Sequence, residues 1–317
     1  MDWYRGLGDV YKRQDQTFMF ASGLMRLEEF FAQLYGDTDD QFNPQSAGRL
    51  MNNHFSTKTI DRNGKWLDLA GRKNSSADIS PTAGHMPRLL GLALASKLFR
   101  IHKGLKGLNP GNQLSVNGNE VAFGTIGDSS TSEGYFFEAL NAAGVLQVPL
   151  AMSVWDDGFG ISVPNEYQTL KQSISDALAG FSINEKGEGY HIYRAKGWDY
   201  PELCRIYEEG VKKCREDHVP VMFHITELTQ PQGHSTSGSH ERYKSKERLE
   251  WEKQFDGLRK MREWILTEKI ATSDELDKIE QEAADKAKEA RNKAWKNYMG
   301  PLKEKRKEFI NMVDITT

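Results

Sequence analysis

From residue 120 to residue 228 the chain alternates short, continuously apolar runs with helix-length segments. That alternation constrains the fold more than any other feature. Residues 120–126, 148–155, 190–195 and 219–228 read as strands, and residues 133–146, 170–179 and 200–216 as helices. A strand that is apolar at every position, not at every second one, has to be covered on both faces. The expected architecture is an α/β fold, a parallel sheet with helices on both faces.

The flanks read differently. Residues 15–35 place Phe18, Met19, Leu24, Met25, Leu27, Phe30, Phe31 and Leu34 at helical spacing and predict one helix, ended by Gly36-Asp37. Residues 87–101 predict a helix that is apolar nearly all round and therefore buried. Residues 37–76 and 104–119, rich in Asn and Gly, read as loops. Beyond Arg242 strand signals cease, and Ser273 with Glu275 opens a helix over 274–298. The expected division is an α/β domain over 15–245 and a charged helical extension over 246–317, cut short and packed loosely or against a partner. The string from Arg5 to Gln14 resembles a translated sequencing adapter. Residues 1–14 are accordingly expected to be non-native, with the natural chain starting near Asp15.

Composition excludes several classes. The 317 residues are 38% hydrophobic and 27% charged, with net charge −3, so a core is available and no basic field points to nucleic acid. No apolar run approaches the roughly 20 residues of a membrane helix. No secretory signal is visible, so a cytoplasmic location is expected. Cys204 and Cys214 fall on one expected helix. Ten helical residues span about 15 Å, too far for a mutual disulfide, so both are expected as reduced thiols.

Chemistry concentrates after two strands. The first runs into Gly127-Asp128-Ser129-Ser130-Thr131-Ser132-Glu133-Gly134, a small-residue turn leading into a helix. Such a turn presents backbone N–H groups to an anion, at the carboxyl edge where α/β sheets bind ligands. The second ends in Trp155-Asp156-Asp157-Gly158-Phe159-Gly160-Ile161-Ser162. Asp157 follows Asp128 by one helix and one strand, which brings both carboxylates to the same sheet edge. Mg²⁺ takes six oxygens, usually one or two carboxylates plus substrate phosphates, and this pair suits it. The plain alternative is two solvated turn aspartates.

Residues 127–164 closely resemble the thiamine diphosphate motif of the alpha subunit of 2-oxo acid dehydrogenases, part of their decarboxylating component. The family motif opens Gly-Asp-Gly and closes Asn-Asn; this chain opens Gly127-Asp128-Ser129 and closes Asp156-Asp157 at the family spacing. Thr131 to Gly134, Glu138-Ala139-Leu140-Asn141 and Gly158 to Pro164 are also family-like. Asp78-Ile79-Ser80-Pro81 resembles the loop whose Ser touches the cofactor, and Gly233-His234-Ser235-Thr236-Ser237 the loop that brings a His to the diphosphate. The resemblance runs from about Phe18 to Tyr243.

The resemblance implies a thiamine diphosphate-binding fold, with thiamine diphosphate and Mg²⁺ as cofactors. It implies Asp128, Asp157 and the Phe159 carbonyl as metal ligands. It implies cofactor contacts from Ser80, Thr82, Gly127, Ser129, Ser130, Ile161 and His234, with His234 also carried as catalytic. Glu133 and Asn141 are expected to support the loop and helix. The implied reaction is oxidative decarboxylation of a 2-oxo acid, with acyl transfer to a lipoyl group. The implied partners are a beta subunit, or fused beta half, that brings the catalytic Glu in a heterotetramer, and a lipoyl-bearing acyltransferase. The chain alone is expected to be inert. Branched-chain 2-oxo acids are favoured over pyruvate on overall resemblance. Two other readings stand beside this one: another thiamine enzyme such as an acetoin dehydrogenase or transketolase-like protein, and a non-catalytic subunit of the same fold. A plain nucleotide-binding protein lacks the Gly-x-Gly-x-x-Gly or Walker pattern it needs.

The departures carry charge. Asp157 replaces a family Asn, Trp155 sits near where branched-chain relatives carry an Arg, and the family's Tyr-Arg pair is expected just before Asp15. An extra carboxylate attracts Mg²⁺ but repels diphosphate. His85, Arg88 and Arg242 are the candidates for compensation, and weak cofactor binding is expected.

Overall fold

The computed structural model describes residues 19–49, 55–76, 81–230 and 240–316. Its strands are β1 (Ala122–Gly127), β2 (Leu150–Trp155), β3 (Phe159–Gly160), β4 (Val163–Pro164), β5 (His191–Lys196) and β6 (Val221–Thr226). In chain order the helices are α1 (Leu27–Tyr35), α2 (Met86–Ile101), α3 (Gly134–Leu146), α4 (Ile174–Ala177), α5 (Tyr200–Asp217), α6 (Lys246–Gln254), α7 (Gly257–Thr267) and α8 (Ser273–Thr316).

Four strands form one wholly parallel sheet in the order β1-β2-β6-β5, and β3 and β4 make a small antiparallel hairpin just beyond β2. The central strand β2 explains the two-sided cover. Leu150, Met152 and Val154 pack with Met86, Leu89, Phe136 and Leu140 of α2 and α3. Ala151, on the other face, packs with Ile206 and Cys214 of α5 and with Phe223. Each large side chain buried this way contributes about 1.5–3 kcal/mol. Gly124 lets α2 lie close on β1, because a Cβ there would stand 2.6 Å from Leu89 Cδ2.

Several expectations change in detail. The first predicted helix is broken: Gly23 turns left-handed at φ 75°, and α1 begins only at Leu27, where Glu29 accepts the Arg26 N–H at 2.9 Å. Helix α2 is not buried all round, since Leu92 and Ile101 are 50% and 58% exposed. The helix expected over 170–179 shrinks to the four residues of α4, because Lys171 and Gln172 adopt positive φ. The two cysteines are free, Cys204 exposed and Cys214 buried. Among the described residues no helix is long and apolar enough to cross a membrane.

The compact units are also cut differently from the division at 245. Among the described residues, one holds 68–72, 81–230 and 240–272; the other holds 19–49, 55–67, 73–76 and 273–316. Within the first, Phe255 packs on Trp198 and Trp264 on Tyr200, both with centroids 5.1 Å apart, so α6 and α7 belong with the sheet. Within the second, α8 lies on α1: Tyr35 meets Trp295 at 5.1 Å, Lys293 pairs with Glu28 at 3.1 Å, and Ala290 and Ala294 are buried.

Candidate cofactor site at the carboxyl ends of β1 and β2

In the β1–β2 register Gly127 lies opposite Trp155, so the next residues, Asp128 and Asp156, leave the sheet side by side. The Asp128 N–H donates to the Trp155 carbonyl at 3.0 Å, tying the two exits together. Asp128, Asp156 and Asp157 are all buried. Both Asp128 carboxylate oxygens are buried without a hydrogen-bond partner among the described residues. A native fold rarely leaves a carboxylate in that condition unless a missing ligand satisfies it. Burial, then the charges of Asp156 and Asp157, push the Asp128 carboxyl up to about 9.

The three acids differ in what they hold. Asp157 Oδ1 accepts the Phe159 N–H at 3.0 Å, and the Asp157 carbonyl accepts from Arg248 at 2.7 Å. Asp156 Oδ1 accepts the Gly158 N–H at 2.8 Å and the Asn165 amide at 3.0 Å, while Oδ2 meets His224 Nε2 at 2.9 Å. Burial alone would raise the Asp156 pKa, but the His224 hydrogen bond and charge, with Asn165 and Gly158, bring it below its ordinary value. One acid is thus saturated by protein donors, while its neighbour on β1 has no hydrogen bond of full geometry among the described residues and lies against the Asp156 carboxyl.

The turn after β1 is packed tightly. Thr131 Oγ1 donates to the Asp128 carbonyl at 2.5 Å, and Ser130 and Thr131 are buried. Gly160 on the hairpin leaves room for Ser129, where the family pattern has Gly: a Cβ on Gly160 would stand 2.7 Å from Ser129 Cβ. Ile161, at the hairpin tip, holds a left-handed φ of 58° and is exposed. For a β-branched residue that is a strained conformation, of the kind that gathers at functional sites. Thr82 lies in the turn leading into α2, and His85 in that turn meets the Thr125 carbonyl of β1 at 2.9 Å. Ser80 and His234 lie outside the described residues.

The expected sources of compensating charge change. His85 is engaged with β1, Arg88 and Arg242 are exposed, and the Trp155 indole donates to Ser153 Oγ at 2.8 Å. The cations beside the turn are Lys244 and Arg248, both bound to the buried Glu252 at 2.7 and 2.9 Å, and both stacked over the Phe159 ring. Sequence reasoning missed them, and missed His224, because they come from α6 and its approach and from β6, far along the chain. An apolar strand interrupted by a single His was the one available signal for His224.

Among the described residues no group of three or more His, Cys, Asp or Glu is arranged to hold a metal ion. Two carboxylates and a carbonyl fit a cation that takes its remaining oxygens from a diphosphate.

Over residues 10–302 the chain matches the family model described as dehydrogenase E1 component. The chain belongs to that family. Among curated E1 proteins it is 28% identical over 174 residues to the pyruvate dehydrogenase E1 component subunit alpha of Rickettsia felis, covering 54% of this chain and 50% of that one. It is 25% identical over 255 residues to the 2-oxoisovalerate dehydrogenase subunit alpha of Bacillus subtilis, covering 78% of this chain and 66% of the relative. The human mitochondrial 2-oxoisovalerate dehydrogenase subunit alpha is 26% identical over 246 residues, covering 76% and 45%. This E1 chain spans about half the length of the pyruvate dehydrogenase subunits it matches. Among solved structures, a transketolase from Campylobacter jejuni aligns with TM-score 0.34 and 16% identity over 47% of this chain and 20% of that one.

Proposed function

We propose that this chain supplies the magnesium-and-diphosphate half of a thiamine diphosphate site in the decarboxylating component of a 2-oxo acid dehydrogenase. The observation that carries the reading is the buried, unpartnered Asp128 carboxylate beside the Asp157 turn, in a member of the E1 family. Asp128, Asp157 and the Phe159 carbonyl would hold Mg²⁺. Gly127, Ser129 and Ser130 line the turn that receives the diphosphate, and Ser80, Thr82, Ile161 and His234 complete the contacts. Bound thiamine diphosphate supplies the electron sink for decarboxylation. The protein's part is to orient it, to keep water from the buried acids, and to balance charge through Lys244 and Arg248. A second polypeptide, or a further half of the same one, contributes the Glu that activates the ring, and a lipoyl-bearing acyltransferase receives the acyl group. A branched-chain 2-oxo acid is the proposed substrate, on the ground that the 2-oxoisovalerate dehydrogenase relatives align over 76–78% of this chain and the pyruvate dehydrogenase relative from Rickettsia felis over 54%.

Titration calorimetry with thiamine diphosphate, with and without Mg²⁺, tests the site. Binding is expected to require Mg²⁺, to be weaker than about 1 μM in the isolated chain, and to vanish in Asp128→Asn. Asp157→Asn is expected to keep or improve it, since an amide oxygen still accepts the Phe159 N–H while one negative charge leaves. Mg²⁺-independent binding, or full binding by Asp128→Asn, would remove the basis of the assignment. Turnover of a 2-oxo acid with an artificial electron acceptor by this chain alone would remove the need for a second half.

A further inference from the structure

The turn that follows β2 is held in one orientation partly by a residue from far along the chain. Gly158 takes a left-handed φ of 83°, and a Cβ there would meet nothing within 4 Å. Glycine adopts positive and negative φ about equally, so neither propensity nor packing at Gly158 decides how the peptides on its two sides are turned. Hydrogen bonds make that choice. The Asp157–Gly158 peptide is gripped at both ends: its carbonyl accepts from Arg248 Nη2 at 2.7 Å, and its N–H donates to Asp156 Oδ1 at 2.8 Å. The next peptide is gripped in the same way, its carbonyl by the Asn165 N–H at 3.1 Å and its N–H by Asp157 Oδ1 at 3.0 Å. Asp156, Asp157 and Asn165 lie in the turn and the hairpin it opens, whereas Arg248 comes from α6, 91 positions away. Arg248 is itself held stiffly. Its Nε donates to the buried Glu252 at 2.9 Å, one turn further along α6, and its guanidinium lies over the Trp251 and Phe159 rings at 4.6 and 5.4 Å.

We propose that Arg248 is a positioning residue for the cation: by fixing the Asp157–Gly158 peptide it aims the Asp157 carboxylate and the Phe159 carbonyl before an ion arrives. The inference rests on the reading that these two oxygens, with Asp128, share a cation with a diphosphate. With Arg248 in place the turn already has the geometry that the ion needs. Without it the peptide gains freedom beside a permissive glycine, and the ion has to order the turn as it binds, which costs affinity. The role is one of geometry and is separate from charge balance. A planar guanidinium serves the Glu252 carboxylate through one nitrogen and the Asp157 carbonyl through another, whereas the compact ammonium of a Lys offers the same charge without that fork.

The test is Mn²⁺ binding in the presence of thiamine diphosphate, followed by electron paramagnetic resonance on the whole chain, together with hydrogen exchange at the Gly158 amide. Arg248→Met is expected to bind Mn²⁺ about 10-fold more weakly, the effect of losing one hydrogen bond from a charged donor, and to exchange the Gly158 proton faster than the wild type. Arg248→Lys keeps the charge and loses the fork, so it is expected to bind as weakly as Arg248→Met. Trp264→Leu loosens α7 from Tyr200 without touching the turn. It is expected to lower the melting temperature while keeping wild-type Mn²⁺ affinity and slow exchange at Gly158, which separates aiming from general stability. Should Arg248→Met not fold by circular dichroism, Arg248→Lys carries the expectation. A folded Arg248→Met with wild-type affinity, an Arg248→Lys that restores it, or an equal loss in Trp264→Leu overturns the role of Arg248 and leaves the site standing. A wild-type chain that does not bind Mn²⁺ with thiamine diphosphate, or a folded Asp128→Asn that binds as the wild type does, overturns the site and this inference with it.

Discussion

Asp128 shows how much a single side chain is asked to tolerate. A buried carboxylate beside two others is destabilising until a cation or a proton neutralises it. Asp128→Asn is therefore expected to melt at a higher temperature than the wild type when both lack metal, by the equivalent of about 1–3 kcal/mol. Magnesium with thiamine diphosphate should raise the melting temperature of the wild type only. Scanning calorimetry of the two proteins checks both halves. Cys214 offers a second residue-scale test. Burial pushes its thiol up to about 12, from an ordinary value near 9. The folded chain keeps that proton where the unfolded chain releases it. The contribution to stability is therefore complete below about pH 8.5 and declines as pH rises toward 12. In the folded protein at pH 8, an aromatic disulfide reagent is expected to titrate Cys204 quickly and Cys214 only after denaturation; two fast thiols would contradict the burial.

At the scale of elements, the site is a meeting of turns. The turn after β1 and the β3–β4 hairpin approach so closely that Gly160 has no room for a Cβ beside Ser129 and Gln168. Gly160→Ala is expected to destabilise the chain by about 1–3 kcal/mol, as overpacking does. Adding Ser129→Gly should recover part of that loss, and denaturant melts of the single and double variants measure it. These turns also show what the sequence discloses and what it hides. The parallel sheet was legible because β2 and β6 are apolar toward both faces, interrupted only by Ser153 in one and by His224 and Thr226 in the other, and the turn after β1 because its small residues follow a strand directly. The broken first helix was not, since apolar spacing does not register the left-handed Gly23. Nor was the docking of α6 and α7 beside the sheet, because apolar spacing marks a face to be covered but not which surface covers it. Counting one helix and one strand was enough to bring Asp128 and Asp157 to one edge of the sheet. His224, Lys244 and Arg248 could not be placed that way, because nothing local ties them to Asp156, Glu252 or the Asp157 carbonyl.

Across the whole molecule, contributions to one small turn come from distant stretches. The Arg248 bond to the Asp157 carbonyl spans 91 positions, and the His224 bond to Asp156 spans 68. The second depends on β6 lying beside β2, the strand whose end carries the acids. No short segment of the chain therefore carries a preformed cation pocket that could nucleate folding. On the proposed function, an ion would bind only after the sheet has closed and would act as a late clasp. In stopped-flow experiments, magnesium with thiamine diphosphate should leave the refolding rate unchanged and slow unfolding, the pattern of an interaction absent from the transition state. Faster refolding would mean that the acids gather around the metal before the strands pair.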